Sequence, residues 1–165
     1  MRRILSILLE NEAGALSRIV GLFSQRGYNI DSLTVAKTDD ESLSRITLTT
    51  HGDQRVLEQI TKQVNKLVDV LKVRELTESA HVEREIVLVK IFAENHEQRE
   101  EIKRCADIFR GQIVDVSSKI YTVQLLGTSE KIDAFIQVMR ENGSILETVR
   151  SGVVGIGRGE KALKP

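Results

Sequence analysis

Residues 4–30 read Ile4-Leu5-Ser6-Ile7-Leu8-Leu9-Glu10-Asn11-Glu12-Ala13-Gly14-Ala15-Leu16-Ser17-Arg18-Ile19-Val20-Gly21-Leu22-Phe23-Ser24-Gln25-Arg26-Gly27-Tyr28-Asn29-Ile30. The apolar run at 4–9 has the length of a buried strand and breaks at the polar, glycine-bearing segment 10–14. Leu16, Ile19, Val20 and Phe23 then recur at helical spacing, which predicts a helix from about Ala13 to Arg26, stopped by Gly27. A second strand is expected from about Tyr28 to Thr38. A glycine in a strand-to-helix turn lets backbone approach a ligand closely, and first-turn N–H groups attract a carboxylate or phosphate. Asn11 and Asn29 can offer side-chain amides to the same small polar object. The pattern describes a pocket that binds a small molecule and has no machinery for changing it.

Outward from this stretch, Asp39-Asp40-Glu41-Ser42 is turn-like, and Leu43 to His51 alternates as a strand with one face on helices. Ile46 and Leu48 share one side; Arg45, Thr47 and Thr49 share the other. Gly52-Asp53 introduces a second helix carrying Val56, Leu57, Ile60, Val64 and Leu67, with Asp53 as its N-cap. Val68 to Val73 supplies a fourth strand, giving βαββαβ. The order then repeats: strand Glu85 to Ala93, helix Glu97 to Phe109, strands Gln112 to Val116 and Ile120 to Leu126, a helix with Ile132, Phe135, Ile136 and Met139, and a strand Ser144 to Val149. Gly27 and Gly111, and Gly52 and Gly127, occupy parallel places. The fold class expected is α+β, two ferredoxin-like βαββαβ sandwiches, one over 1–78 and one over 79–165. Each half is small, so its uncovered sheet face and edges call for a second copy or another partner.

The chain has 165 residues, with 24 basic and 24 acidic side chains and a formal net charge of +0. Such a balance gives no general attraction to nucleic acid or to an anionic bilayer, so neither is expected as a partner. No apolar run reaches membrane-spanning length, and a cytoplasmic location is expected. Aromatic residues are only 4% and Trp is absent, which leaves Val, Ile and Leu to fill the core. Cys105 falls in register with Ile102 and Phe109 and reads as a buried structural thiol. His51, His81 and His96 are too dispersed for a metal centre, and no nucleophile, base or carboxylate pair converges, so no catalytic residue is assigned. Gly152-Val153-Val154-Gly155-Ile156-Gly157-Arg158-Gly159 lacks the strand, loop and helix of a phosphate loop and reads as a mobile arm or docking segment, its apolar residues meeting a partner.

Arg2 to Arg18, with Gly21 to Ile30, Ser44-Arg45, His81 to Glu85, Phe109-Arg110-Gly111 and Arg150-Ser151-Gly152, resembles the family of acetolactate (acetohydroxyacid) synthase small regulatory subunits, whose N-terminal half is an ACT domain. The likeness spans nearly the whole chain. It implies a non-catalytic subunit that pairs through its ACT domains as a homodimer, binds the large catalytic subunit, raises its activity and confers feedback inhibition by valine in branched-chain amino-acid synthesis. It implies no cofactor on this chain, with thiamine diphosphate, FAD and Mg²⁺ on the catalytic partner. Carried onto this sequence, the effector site lies between two subunits and uses Asn11, Ala13, Gly14 and Ala15 of the loop, with Asn29 and Ile30 at the start of strand two. Ile30 and Leu16 are candidates for its apolar wall. The second half is expected to support activation and contact with the catalytic subunit. Duller roles stay open: Asn11 also suits an Asx turn, Leu16 the core, Gly27 a helix C-cap, and Asp31 a solvent-facing strand position. The competing function is a free-standing amino-acid-sensing module acting on another protein.

Overall fold

The computed structural model describes residues 1–165, which divide into two compact units. The first comprises Met1–Glu83 with Val153–Pro165, and the second Arg84–Gly152. The sequence reading drew the halves at 1–78 and 79–165; in the structure the C-terminal tail packs with the first unit.

The first unit runs β1 (Arg2–Glu10), α1 (Ala15–Gln25), β2 (Ser32–Lys37), β3 (Leu43–His51), α2 (Gln54–Asn65) and β4 (Val70–Glu75). Its strands form an antiparallel sheet in the order β2-β3-β1-β4. Alternation along β1 decides which side packs on the helices. Leu5, Ile7 and Leu9 join Ile46 and Leu48 of β3 against Ile19, Phe23, Leu57, Ile60 and Val64. The expected division of β3 holds, with Arg45 and Thr47 paired across to Leu8 and Ser6 on the opposite face.

That opposite face is buried as well: Ile4, Ser6 and Leu8 are at most 4% exposed. The chain itself covers it. A short strand, here labelled β9 (Val154–Gly157), pairs with the strand that begins at His81, and Arg158 N donates to Ala80 O at 2.9 Å. Arg45 of β3 donates from Nε to Ser6 Oγ and from Nη2 to Gly155 O, both at 2.9 Å. Thr34 Oγ1 donates to Val153 O, and Val153 is 2% exposed. The tail is therefore neither a free arm nor, at Val153, a surface for a partner. Its apolar residues split, with Val154 and Ile156 left outside. A sheet face that seemed to need a second protein is closed by this chain's last residues.

The second unit repeats the topology with β5 (His81–Phe92), α3 (His96–Ile108), β6 (Gln112–Val116), β7 (Ile120–Gly127), α4 (Ser129–Asn142) and β8 (Ser144–Arg150), in the order β6-β7-β5-β8. Val87, Val89 and Ile91 of β5 pack with Ile102, Cys105 and Ala106 of α3 and with Ile132, Phe135 and Met139 of α4. Cys105 is buried, as its register predicted, and burial pushes its thiol up from the ordinary value. On the other face Ile86, Leu88, Leu126 and Val149 stay 37% to 59% exposed.

Four element starts differ from the sequence reading: β5 opens at His81 rather than Glu85, where β9 pairs with it, and three others shift for local reasons. Helix α1 begins at Ala15 because Gly14 takes φ 86°, ψ −11°, outside the helical region. Strand β2 begins at Ser32 because Tyr28 N turns back to Phe23 O and its ring meets that of Phe23 at 6.1 Å. Asn29 and Ile30 thus precede the strand. Strand β4 begins at Val70, leaving Val68 89% exposed.

Candidate functional site

Three of the four helices begin under a side-chain cap. Asp53 accepts from Val56 N, Asn95 from Gln98 N and Thr128 from Lys131 N. Helix α1 has Gly14 at the N-cap position and no side-chain cap. Ala15 N turns back to Glu12 O at 3.3 Å, and no side chain caps the N–H groups of Leu16 and Ser17. An uncapped first turn, with the positive end of the helix dipole behind it, suits a carboxylate.

Arg18 adds a full positive charge at the same place. Its Nη1 stands where it would lie 2.8 Å from a Cβ on Gly14, and its Nε donates to Asp69 Oδ2 at 2.5 Å. Asp69 is nearly buried, and the Arg18 guanidinium holds its carboxyl below the usual carboxylate range. Glu10, Glu12 and Asp69 bring carboxylate oxygens within 4.8 Å of one another, so Arg18 also answers a local concentration of negative charge. The sequence reading missed Arg18 and Asp69. Arg18 was within reach of the helix rule that residues four apart share a face, since it is four beyond Gly14.

The expected site residues fall into two groups. Asn11 is exposed beside the loop after β2, its N donating to Ser42 O at 2.7 Å and its Nδ2 to Glu41 O at 3.0 Å. Ala13 and Gly14 are exposed at the turn, Ala15 points its methyl into the core, and Leu16 is 37% exposed. Gly14 opens onto a shallow groove of about 430 Å³ along α1, lined by Ser17, Arg18, Gly21, Leu22, Gln25 and Leu67. Asn29 and Ile30 lie elsewhere. Thr50 Oγ1 donates to Asn29 O at 2.5 Å, Asp31 N donates to Thr49 O at 2.8 Å, and Ile30 packs partly buried on the core.

The register of β3 sets the distance between the groups. Asn11 sits beside Ser42, before the Leu43 end that pairs with Glu10; Asn29 sits beside Thr50, next to the His51 end that pairs with Arg2. Eight strand residues at about 3.3 Å each separate them by roughly 26 Å. The two asparagines therefore do not meet within one chain. One end offers helix N–H groups and Arg18; the other offers Asn29, Asp31 and His51.

Residues 5–72 match the family model described as the AHAS small subunit-like ACT domain, and residues 84–159 match that described as the small subunit of acetolactate synthase. The chain is 65% identical over 164 residues to the acetolactate synthase isozyme 3 small subunit of Salmonella typhimurium, covering 99% of this chain and 100% of that one. This chain belongs to the acetolactate synthase small-subunit family. The corresponding Escherichia coli small subunit is 64% identical over 164 residues, with 99% and 100% covered. The crystal structure of the acetolactate synthase small subunit from Thermotoga maritima matches with a TM-score of 0.85 at 35% identity, covering 98% of this chain and 99% of that one. As a small subunit, the chain is the regulatory, non-catalytic partner in feedback control of branched-chain amino-acid synthesis. Its two units are both ACT-like ferredoxin folds, and its sequence carries no cofactor-binding motif.

Proposed function

We propose that the regulation exerted by this small subunit is feedback inhibition by valine, held between the first units of two copies. Valine offers a carboxylate, an ammonium and a small branched side chain. The uncapped turn at Gly14, with Arg18 beside it, suits the carboxylate. Asn29 and Asp31 suit the ammonium. Leu16 and Ile30 are available for the aliphatic part. Because these groups occupy opposite ends of one sheet, a two-fold pairing that sets the Gly14 end of one copy on the Asn29 end of the other completes two equivalent sites. Effector binding then carries leverage over subunit geometry, since each site exists only in one arrangement of the pair.

The observation that carries the reading is the open α1 turn, the one helix start without a side-chain cap, in a chain of this family. In this reading the catalytic subunit holds the thiamine diphosphate, FAD and Mg²⁺, the second unit supports activation, and the assembly works in the cytoplasm. The test is co-purification with the cognate catalytic subunit followed by acetolactate assay with and without valine. Association, a raised rate and its suppression by valine are expected. Association without any response to valine contradicts the effector assignment.

A further inference from the structure

The glycine-rich tail, laid on the first sheet, gathers positive charge that nothing neutralises. Arg45 on β3 and Arg74 on β4 flank Ser6 of β1 from either side: Arg74 is its register partner, and Arg45 Nε donates to its hydroxyl at 2.9 Å. The tail runs over both. Gly155 O accepts from Arg45 Nη2, Ala162 O accepts from Arg74 Nη2 at 3.2 Å, and a Cβ on Gly157 would stand 3.8 Å from Arg74 Nη1. Arg158 donates from Nε to His81 O at 3.2 Å, and Lys161 lies exposed beyond it. These guanidiniums meet carbonyl and hydroxyl oxygens, and no carboxylate pairs with any of the four cations. The acids of the adjoining segment 75–83 are engaged elsewhere: Glu78 by Arg3, Glu83 by Arg2 and His81, and Glu75 by the backbone N–H groups of Thr77 and Glu78. Burial and the neighbouring Arg74 lower the Arg45 guanidinium from its ordinary value, as like charges left facing each other do.

Arg74, Arg158 and Lys161 line a concavity of about 400 Å³ within the first unit, together with Ser79, Gly157 and Glu160. Three cations there face one carboxylate, Glu160, which forms no ion pair. Gly157 and Gly159, the latter at φ +74°, leave the backbone bare where the tail rounds the site. Guanidinium forks and an ammonium suit the several acceptor oxygens of a phosphate, and the space holds more than one phosphoryl group. We propose that this concavity is a separate ligand site that takes a small diphosphate anion between Arg74, Arg158 and Lys161. One wall is the end of β4 and the segment after it; the other is the tail. A bound anion therefore ties Arg158 and Lys161 to Arg74 and clamps the seal over Ile4 and Leu8. The site shares no residue with the α1 turn or the start of β2, so it stands apart from the valine reading.

The test is calorimetric titration of the full-length chain at about 0.15 M ionic strength, with pyrophosphate as the probe and inorganic phosphate and a hexaglutamate peptide as comparators. Pyrophosphate is expected to bind saturably, one per chain, and about fivefold or more tightly than phosphate, because two phosphoryl groups reach more of the cations. Lys161→Gln removes a charge whose side chain makes no hydrogen bond within the chain, and should weaken pyrophosphate by about threefold to tenfold. Arg158→Gln combined with Lys161→Gln should weaken it by about thirtyfold or more. Lys103→Gln takes the same charge from the second unit and should change it by less than about twofold. Saturating pyrophosphate should raise the urea midpoint of wild type and leave that of the double variant in place. Absence of saturable pyrophosphate binding, phosphate bound as tightly, or Lys161→Gln and Lys103→Gln behaving alike overturns the site. Tighter binding of the peptide also overturns it and makes the patch a docking surface for an acidic partner. A wild-type urea midpoint unmoved by saturating pyrophosphate overturns the clamp.

Discussion

The two units start their first helices from the same place in the same topology, yet in opposite ways. At the second unit's turn, Asn95 accepts from Gln98 N, and Gln98 Oε1 accepts from Glu94 N at 2.8 Å, a reciprocal arrangement that closes the first turn of α3 on itself. At the first unit's turn, Gly14 offers no side chain and α1 stays open. The outer sheet faces are reversed. In the first unit that face is sealed by Val153–Gly157, while the second leaves Ile86, Leu88, Leu126 and Val149 exposed. One duplicated fold has thus become an open helix start over a closed sheet, and a closed helix start over an open sheet. The first suits a small anion, and the second leaves apolar surface outside.

Removing the tail makes the two faces alike and carries the largest expected effect. Deleting Val153–Pro165 uncovers Ile4 and Leu8 and takes away the carbonyl that Arg45 holds. Burial of Val153 contributes about 1.5–3 kcal/mol, and the charge-assisted bond to Gly155 O about 1.5–3 kcal/mol. Urea unfolding should show the first unit losing about 3 kcal/mol or more, and a loss below 1 kcal/mol would show that the tail does not seal the face.

Closing the open turn comes next. Gly14→Asp places a Cβ at φ +86° and an anion beside Arg18, where it competes with Asp69 for the guanidinium and repels an incoming carboxylate. Valine affinity should fall about a hundredfold or more, equivalent to about 2.7 kcal/mol, with binding to the catalytic subunit retained. Calorimetric titration reads the first quantity, and unchanged affinity would count against the site.

Opening the closed turn is a smaller perturbation. Asn95→Ala removes the α3 cap and should cost the second unit about 1 kcal/mol in denaturant unfolding, with valine titration unaltered. A change in valine binding would mean that the two turns are not independent.

The least effect at neutral pH belongs to the acid side of the first turn. Arg18 holds the Asp69 carboxyl below its ordinary value, so the pair stabilises the fold above about pH 4, the unfolded carboxylate value, and that contribution is lost as pH falls through the lower folded value. The stability difference between wild type and Asp69→Asn should stay constant from neutrality to about pH 5 and shrink in stronger acid. A difference that grows on acidification has the wrong sign.

The strand and helix order was legible because apolar spacing switches cleanly between two and 3.6 residues, as in 43–51 and 54–65. The Gly14 turn was legible because few residues other than glycine tolerate φ +86°. What could not be read was distance. Sequence places Asn11 and Asn29 on either side of one helix, and only the β3 register shows them at opposite ends of the sheet. Arg18 escaped notice, and Asp31 and His51 read only as a solvent-facing strand position and a dispersed histidine, because charged residues on exposed faces are ordinary until a partner is seen. The tail misled for the opposite reason. Val153, Val154 and Ile156 looked like a partner's surface, and the partner for Val153 is the chain's own first sheet.

The central claim, that the effector site is built from opposite ends of two copies, is tested by mixing damaged chains. Gly14→Asp and Asn29→Ala chains carrying different tags are co-expressed, the mixed dimer is isolated through both tags, and valine binding is measured by calorimetry. The account predicts that each parent homodimer binds poorly and the mixed dimer regains one full-affinity site, where an intact turn meets an intact Asn29. A mixed dimer as inert as its parents would contradict it.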